Sequence, residues 1–307
     1  MGNVSQEARE KYLKTMTDRQ FIEYFFMIVD KRRQEVPFLF NDVQARLFRE
    51  MADWNIVLKY RKPGVSVMIQ SLMLARCLRR RNYNAVVLSF DKESTQRMLE
   101  RTNWMLTKFP LEVGLERESK NEFKIKEINS KLFIGVAGSR AFGRGEDIDF
   151  LHLTEFSWFE DPDIFTGLME ALTPDATVFI ESTANGPSNA FARLYRLGKS
   201  GKTKWKSHFF PWWIDIELQK DVPADFVHTE EEKLLKVTYN LTNRQLAWRR
   251  WKMDGMLEPE LFVVEYPSND QEAFYISGDC IFDKIALANY DKTVSEPAYV
   301  GELMNVV

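Results

Sequence analysis

The stretch KYRKPGVS (59–66) places three cations, a Pro-Gly pair and a hydroxyl within one short segment. Backbone N–H groups and a helix N-terminus can hold phosphate without special side chains, so a turn between a strand and a helix is where such chemistry sits. Setting Gly64 as the second glycine of G-x-x-x-x-G-K-[ST] puts Ser66 at the magnesium-binding hydroxyl. It also puts Val65 where the lysine belongs and Lys59 where the first glycine belongs. Lys59 at the loop's start and Lys62 within it are then the cations able to reach a β/γ-phosphate, with Arg61 a third. On its own the segment reads more readily as a type II turn with solvated lysines. Its surroundings have to decide.

DFLHLTE (149–155) runs a mostly apolar strand into Thr154 and Glu155. P-loop ATPases carry here an aspartate for magnesium, then a glutamate that polarises the attacking water. Thr154 stands at the aspartate position, so metal coordination is weakened or passes through water. Glu155 remains the candidate general base. Upstream, GSRAFGRGEDI (138–148) is rich in glycine and arginine, as suits a mobile loop beside a phosphate site. Downstream, TVFIESTANGPSNAFARLY (177–195) sets the polar ESTANG just past a strand, where it can sense a γ-phosphate.

These residues need a scaffold. Residues 5–34 read as helical, broken by Glu35, Val36 and Pro37. Asn41 offers an N-cap for DVQARLFREMADW. Strands are expected at 55–60, 84–90, 149–155, 177–183 and 205–213, with a hairpin over 122–137. Helices are expected at 66–81, 91–109 and 189–198. Near-continuous apolar strands separated by helices indicate a parallel sheet covered on both faces. After about residue 225 the pattern turns helical, through HTEEEKLLKV, NRQLAWRRWKMDG and ELFVVEYPSNDQEAF.

Composition sets the outer limits. At 307 residues, 45% hydrophobic and 28% charged, the chain is neither disordered, collagen-like nor a disulfide-stapled miniprotein. No apolar window approaches the length of a membrane span. The polar start is not a secretory signal, and MGNVSQ fits a myristoylation pattern only with Ser5 one place early. Cys77 and Cys280 are too few for a zinc site and point to a reducing compartment, with Cys77 expected in the core. Three histidines show no metal-binding spacing. A net charge of −3 is unlike a constitutive polyanion binder, so any nucleic-acid contact is local or transient. Arg79, Arg80 and Arg81 read as cations at a helix C-terminus. Trp248, Arg249, Arg250 and Trp251 read as a helical core beside a basic face.

KYRKPGVS, AFGRGEDIDFLHLTE and ESTANGPSNAF, in that order, resemble the ATPase domain of a tailed-phage terminase large subunit. FLFNDVQARLF (38–48) resembles that family's adenine-binding motif, and LAWRRWKM (246–253) and FVVEYPSNDQEAFYISG (262–278) its lid and the segment that follows. The resemblance spans roughly residues 36–284. It implies an α/β P-loop NTPase of the additional-strand type, mainly parallel, with a small helical lid. The implied divisions are an N-terminal helical segment (1–35), an ATPase core (36–225), a lid and following segment (226–285), and the start of a linker (286–307). Family members usually continue into an RNase H-like nuclease domain. No acidic cluster follows here, so the chain is read as the motor domain alone, without DNA cleavage.

Residue by residue, the resemblance makes Lys59 the displaced phosphate-gripping lysine, Ser66 the magnesium hydroxyl and Glu155 the catalytic glutamate, also near the metal. Arg144 matches an arginine finger acting in trans on the neighbouring subunit's ATP, with Arg140 its rival. Thr183, Ala184 and Asn185 match the motif that couples hydrolysis to DNA movement. Gln44 would read the adenine edge, with Phe40 near the ring, while Arg61, Lys62, Gly64 and Val65 complete the nucleotide loop. The departures are Val65 and Thr154, which leave magnesium ligation the least determined part. The implied cofactors are ATP and Mg²⁺. The implied partners are double-stranded viral DNA, a portal protein, the small terminase subunit and further copies in a ring, a pentamer by family analogy, in the host cytoplasm and away from membranes. The alternatives are a helicase-like DNA translocase, or a catalytically dead nucleotide-binding or scaffold module.

Overall fold

A computed structural model of the chain describes residues 15–116, 119–138, 147–159 and 163–275. The first helix, α1 (Asp18–Phe25), opens with a capping box in which Thr17 and Gln20 satisfy each other's backbone N–H groups. It does not continue to residue 34 as the apolar spacing suggested. Phe26 is extended and closes the helix, and β1 (Met27–Val29) pairs antiparallel with β2 (Glu35–Pro37). The expected breaker Glu35-Val36-Pro37 is therefore the second strand of a hairpin. The physical reason lies in the turn, where Asp30 Oδ1 accepts from the Arg32 and Gln34 N–H groups, 2.8 Å each, and Arg33 takes a left-handed φ of 64°.

Helix α2 (Asp42–Glu50) begins at Asn41, again with a capping box, here to Gln44. Then come β3 (Trp54–Lys59), α3 (Val65–Cys77), β4 (Asn84–Ser89) and α4 (Lys92–Lys108). After them lie β5 (Leu115–Glu116), β6 (Glu122–Ile125) and β7 (Ser130–Val136), the last two forming the expected hairpin. The sheet is extended by β8 (Ile148–Thr154), α5 (Asp163–Glu170), β9 (Leu172–Ser182), α6 (Ala190–Lys199) and β10 (Lys206–Phe210). Helix α5 had no counterpart among the elements expected from sequence. The expected strand over 205–213 ends early, because Pro211 cannot extend the ladder and Trp212–Ile214 curl into a 3₁₀ turn.

The eight strands lie in the order β10-β3-β9-β8-β4-β7-β6-β5, parallel from β10 to β7 and antiparallel at β6 and β5. One strand, β9, separates β3, which leads into the KYRKPGVS loop, from β8, which leads into Glu155. That extra strand is the defining feature of the additional-strand P-loop fold. Helix α3 is buried on nearly all its faces from Val65 to Cys77, as an all-round apolar helix must be. It lies in one core with Val57, Val87, Phe150 and Phe179 from one face of the sheet. The other face, with Ile56, Leu58, Leu153 and Ile180, packs with Phe191 and Tyr195 of α6.

The last part is helical: α7 (Glu230–Tyr239), α8 (Asn243–Asp254), α9 (Phe262–Glu265) and α10 (Asp270–Tyr275). Trp248 stacks on Trp212 at 5.3 Å and packs edge-on against Phe262 and Tyr266. Trp248 is therefore core, as its sequence context suggested, whereas Trp251 is half exposed and Arg249 is buried rather than solvated. Arg249 pairs with Glu231 and Arg250 with Glu232, at 2.5 Å each, so both cations have nearby carboxylates. Arg79 likewise pairs with Asp18 at 2.9 Å. Among the described residues no helix is long and apolar enough to cross a membrane.

Candidate active site

In an open parallel sheet, ligands gather beyond the carboxyl ends of the strands. Lys59 is the last residue of β3, Thr154 of β8 and Ser182 of β9, so the chemistry-bearing motifs converge at that edge. Side chains alternate along a strand, and parallel register partners share a face. Glu181 of β9 is the register partner of both Thr154 and Val57, and Lys59 lies two residues beyond Val57. Lys59, Thr154, Glu181 and His152 therefore share the face covered by α3.

The geometry they make is tight. Lys59 Nζ donates to Glu155 Oε1 at 2.9 Å and lies 3.1 Å from Glu181 Oε2. Ser66 Oγ donates to Glu181 Oε1 at 2.7 Å, and Thr154 Oγ1 donates to the same oxygen at 2.5 Å. His152 Nε2 lies 3.3 Å from that oxygen as well. The Glu181 side chain is wholly buried and Lys59 is 5% exposed, whereas Glu155 keeps 27% of its side chain in solvent. Burial pulls the Lys59 ammonium towards neutrality, but Glu181 and Glu155 outweigh it and hold its pKa above the ordinary lysine value. For Glu181 burial pushes upward, and Lys59, His152 and Thr154 together carry the carboxyl well below the usual range.

The loop between Lys59 and α3 is built by backbone hand. Lys62 (φ 65°) and Gly64 (φ 83°) are both left-handed, and Pro63 between them has its φ fixed by the ring and no N–H to donate. Gly64 caps α3 without a side-chain hydrogen bond, so the first N–H groups of that helix are left to meet an anion. Gly64 is required twice over. A Cβ there would meet Gln44 Nε2 at 2.6 Å, and its φ disfavours any L side chain. Gln44 Nε2 donates to the Gly64 carbonyl at 2.8 Å, while Asn41 Nδ2 donates to that of Pro63 at 3.1 Å. The motif around Gln44 thus clamps the loop through its own N-cap. Phe40 packs between Phe38 and Phe48, under the Arg19 guanidinium.

Arg61 faces away from this cluster, donating to Glu265 Oε2 at 2.8 Å from its side chain. Lys62 is exposed, and Val65 points into the core. Glu155 takes a left-handed φ of 54° where β8 passes into the 3₁₀ turn Phe156–Trp158. Ser157 in that turn shares a 2.5 Å hydrogen bond with Ser182 and donates to the Thr183 carbonyl at 2.7 Å. Asn185 Nδ2 returns to the Ser157 carbonyl at 3.2 Å. Thr183, Ala184 and Asn185 are therefore joined to the turn that carries Glu155. Arg144 and Arg140 lie outside the described residues.

Residue types and spacing alone passed over Glu181. The available signal was an acidic residue inside an otherwise apolar strand, opposite the position where Thr154 replaces an acid. Two carboxylates and two hydroxyls form a hard-oxygen donor set of the kind magnesium takes. Among the described residues, no group of three or more His, Cys, Asp and Glu side chains is placed to hold a metal. Magnesium at such a site keeps several waters and substrate phosphates as ligands, so a sparse protein set is compatible with it. A cleft lined by Asn84, Lys131 and Asp147 lies at the opposite ends of the strands and takes no part in this arrangement.

No protein-family model matches the chain, and no curated protein sequence matches it. Solved structures do. The crystal structure of the HK97 bacteriophage large terminase superposes with a TM-score of 0.61 at 16% identity, over 82% of this chain and 54% of that one. This chain thus spans about half the length of that terminase. The Thermus phage P74-26 large terminase ATPase domain gives a TM-score of 0.50 at 15% identity, over 75% of this chain and 93% of that one. At such identities the likeness is one of fold. The architecture, with its interposed β9, is that of a P-loop NTPase, and the chain shares its fold with the ATPase domains of bacteriophage large terminases.

Proposed function

We propose that this chain is an ATP-hydrolysing motor domain that drives double-stranded viral DNA into a procapsid. The observation that carries the reading is the meeting of Lys59, at the mouth of the phosphate loop, with Glu155 at 2.9 Å. A lysine beside the loop and a partly exposed carboxylate at the next strand end but one are the two side chains phosphoryl transfer needs most. That reaction depends on positioning and charge neutralisation more than on covalent chemistry.

In this reading the loop amides and Lys59 take the phosphates of ATP, with Gln44 and Phe40 on the adenine side. As Lys59 turns from Glu155 towards phosphate, the carboxylate is released to orient the attacking water. Ser66 and Glu155 are the residues that would hold Mg²⁺, which when bound supplies charge neutralisation between the phosphates. Thr183–Asn185, bonded to the Glu155 turn, pass the change onward to the DNA-moving parts. Arg144 from a neighbouring copy would complete the site, an addition worth about 10³–10⁵-fold in rate. A portal protein and the small terminase subunit are the partners this reading carries, with the subunits arranged as a ring.

Steady-state ATP hydrolysis measured against protein concentration, beside Glu155→Gln and Arg144→Ala, tests it. The expected result is a specific rate that rises with concentration and is lost in both variants. Hydrolysis that Glu155→Gln leaves untouched would remove Glu155 from the reaction and the motor reading built on it, and none at any concentration would favour a dead nucleotide-binding module.

A further inference from the structure

Thr154 leaves β8 without the acidic residue that normally precedes the catalytic glutamate, yet the hydroxyl of Ser66 still finds a carboxylate. It belongs to Glu181, one strand over and in register with Thr154. We infer that Glu181 is the positioning carboxylate of the magnesium–nucleotide site, replacing from β9 the acid that β8 lacks. The inference rests on the nucleotide-hydrolysing reading above.

Three features support the assignment. First, Glu181 gathers the parts that must be aligned, with Ser66 Oγ at 2.7 Å, Thr154 Oγ1 at 2.5 Å and Lys59 Nζ at 3.1 Å. A purely structural acid has no reason to collect the phosphate-loop hydroxyl and the phosphate-loop lysine together. Second, its burial is complete, and burying a carboxylate is costly unless it is paired and hydrogen-bonded. Leu or Val would extend the apolar strand at much less cost, and volume-matched apolar replacements of buried ion pairs are often neutral or stabilising. Third, the Lys59 ammonium faces two carboxylates, Glu155 and Glu181, and His152 Nε2 lies 3.3 Å from Glu181 as well. That surplus of negative charge beside two hydroxyls suits a hard cation. The presence of Thr154 is then explained as well, because its hydroxyl donates to Glu181 and fixes the orientation of the carboxylate.

The test is ADP binding by calorimetry, with and without magnesium, on the whole chain and its variants. Wild type is expected to bind ADP more tightly with magnesium. Glu181→Gln, which keeps the shape and removes the charge, is expected to lose about 10–100-fold of that tightening, the usual effect of removing a ligand's supporting partner. Thr154→Asp combined with Glu181→Gln moves the acid back to β8 and is expected to regain it, which a merely structural role for Glu181 would not produce. A Glu181→Gln protein with the full wild-type magnesium response overturns the inference and leaves the nucleotide reading standing. If Glu181→Gln does not fold, the double variant decides, and a folded double variant without a magnesium response overturns it too. Wild type that binds no ADP under either condition removes the nucleotide reading, and this inference with it.

Discussion

Ser157 Oγ donates to the carbonyl of Thr183 at 2.7 Å, binding the turn behind Glu155 to the segment that follows β9. The same hydroxyl meets Ser182 at 2.5 Å, and Ser182 Oγ reaches back to Glu155 Oε2 at 3.4 Å. The turn that follows Glu155 and the end of β9 are therefore tied together by hydrogen bonds.

Replacing Ser157 with alanine should expose that dependence. The buried Ser182 hydroxyl and Thr183 carbonyl each lose a partner, so stability is expected to fall by about 1–3 kcal/mol. Turnover should fall while the KM for ATP holds, because Glu155 loses its bracing and the phosphate loop does not. Urea denaturation and steady-state kinetics on Ser157→Ala check both. An unchanged kcat would show that the turn needs no such brace.

Gly64→Ala places a methyl 2.6 Å from Gln44 Nε2 on a backbone with φ 83°. The left-handed conformation alone costs an L-residue roughly 1–2 kcal/mol. Displacing Gln44 further loosens its bond to the Gly64 carbonyl. Nucleotide affinity and stability are both expected to drop. Adding Gln44→Ala should relieve the collision but not the backbone cost, so the double variant recovers only part of the stability. Full recovery, followed by denaturation, would show that φ at residue 64 is free to change.

Lys59→Met leaves a wholly buried Glu181 beside Glu155 without the ammonium between them. Removing one partner of a buried pair typically costs about 3–5 kcal/mol. Glu181→Gln in the Lys59→Met background removes the stranded charge and should return much of that loss. A double-mutant cycle in guanidinium measures the coupling. Additive effects would mean that the two side chains do not depend on each other.

His208 sits buried in β10 against Asn55, with its Nε2 3.1 Å from the amide oxygen. Burial, then Lys206, pulls its pKa from 6.5 to about 4. The folded imidazole stays neutral where the unfolded one is protonated, so the unfolded chain binds more protons between those values. Its contribution is fully present above pH 6.5 and is lost as the pH falls towards 4, up to about 3 kcal/mol in all. His208→Gln should flatten that part of a stability–pH curve. A curve of wild-type slope in the variant would assign the acid sensitivity to other groups.

Much of this site is legible in the residues themselves. Residue type and spacing single out Ser66, Glu155 and the cations Lys59, Lys62 and Arg61 as candidates, because a strand-to-helix loop and a strand-end glutamate are local features. The strand at 177–183 and the hairpin over 122–137 follow from apolar runs and turn residues, whereas the place of that strand between β3 and β8 comes only from the family resemblance. Glu181 does not, since its meaning depends on register. Thr154 and Glu181 stand 27 residues apart in the chain, and only the pairing of β8 with β9 makes them neighbours. The hairpin at 27–37 escapes for a related reason. Phe25-Phe26-Met27-Ile28-Val29 continues a helical apolar face as readily as it forms a strand, and the Asp30 turn decides between them.

Arg61 is attached to Glu265 twice, its N–H to the Glu265 carbonyl at 2.8 Å and its guanidinium to the carboxylate at 2.8 Å. One residue further back, Tyr60 is anchored through its hydroxyl to Asp215, and Trp212 N–H reaches the Pro267 carbonyl. The loop is thus spliced to the C-terminal helices by short links that bypass the sheet. The two Arg61–Glu265 bonds tie the loop directly to the end of α9. In the proposed motor reading, force generated at the phosphates would pass outward through the Arg61–Glu265 link.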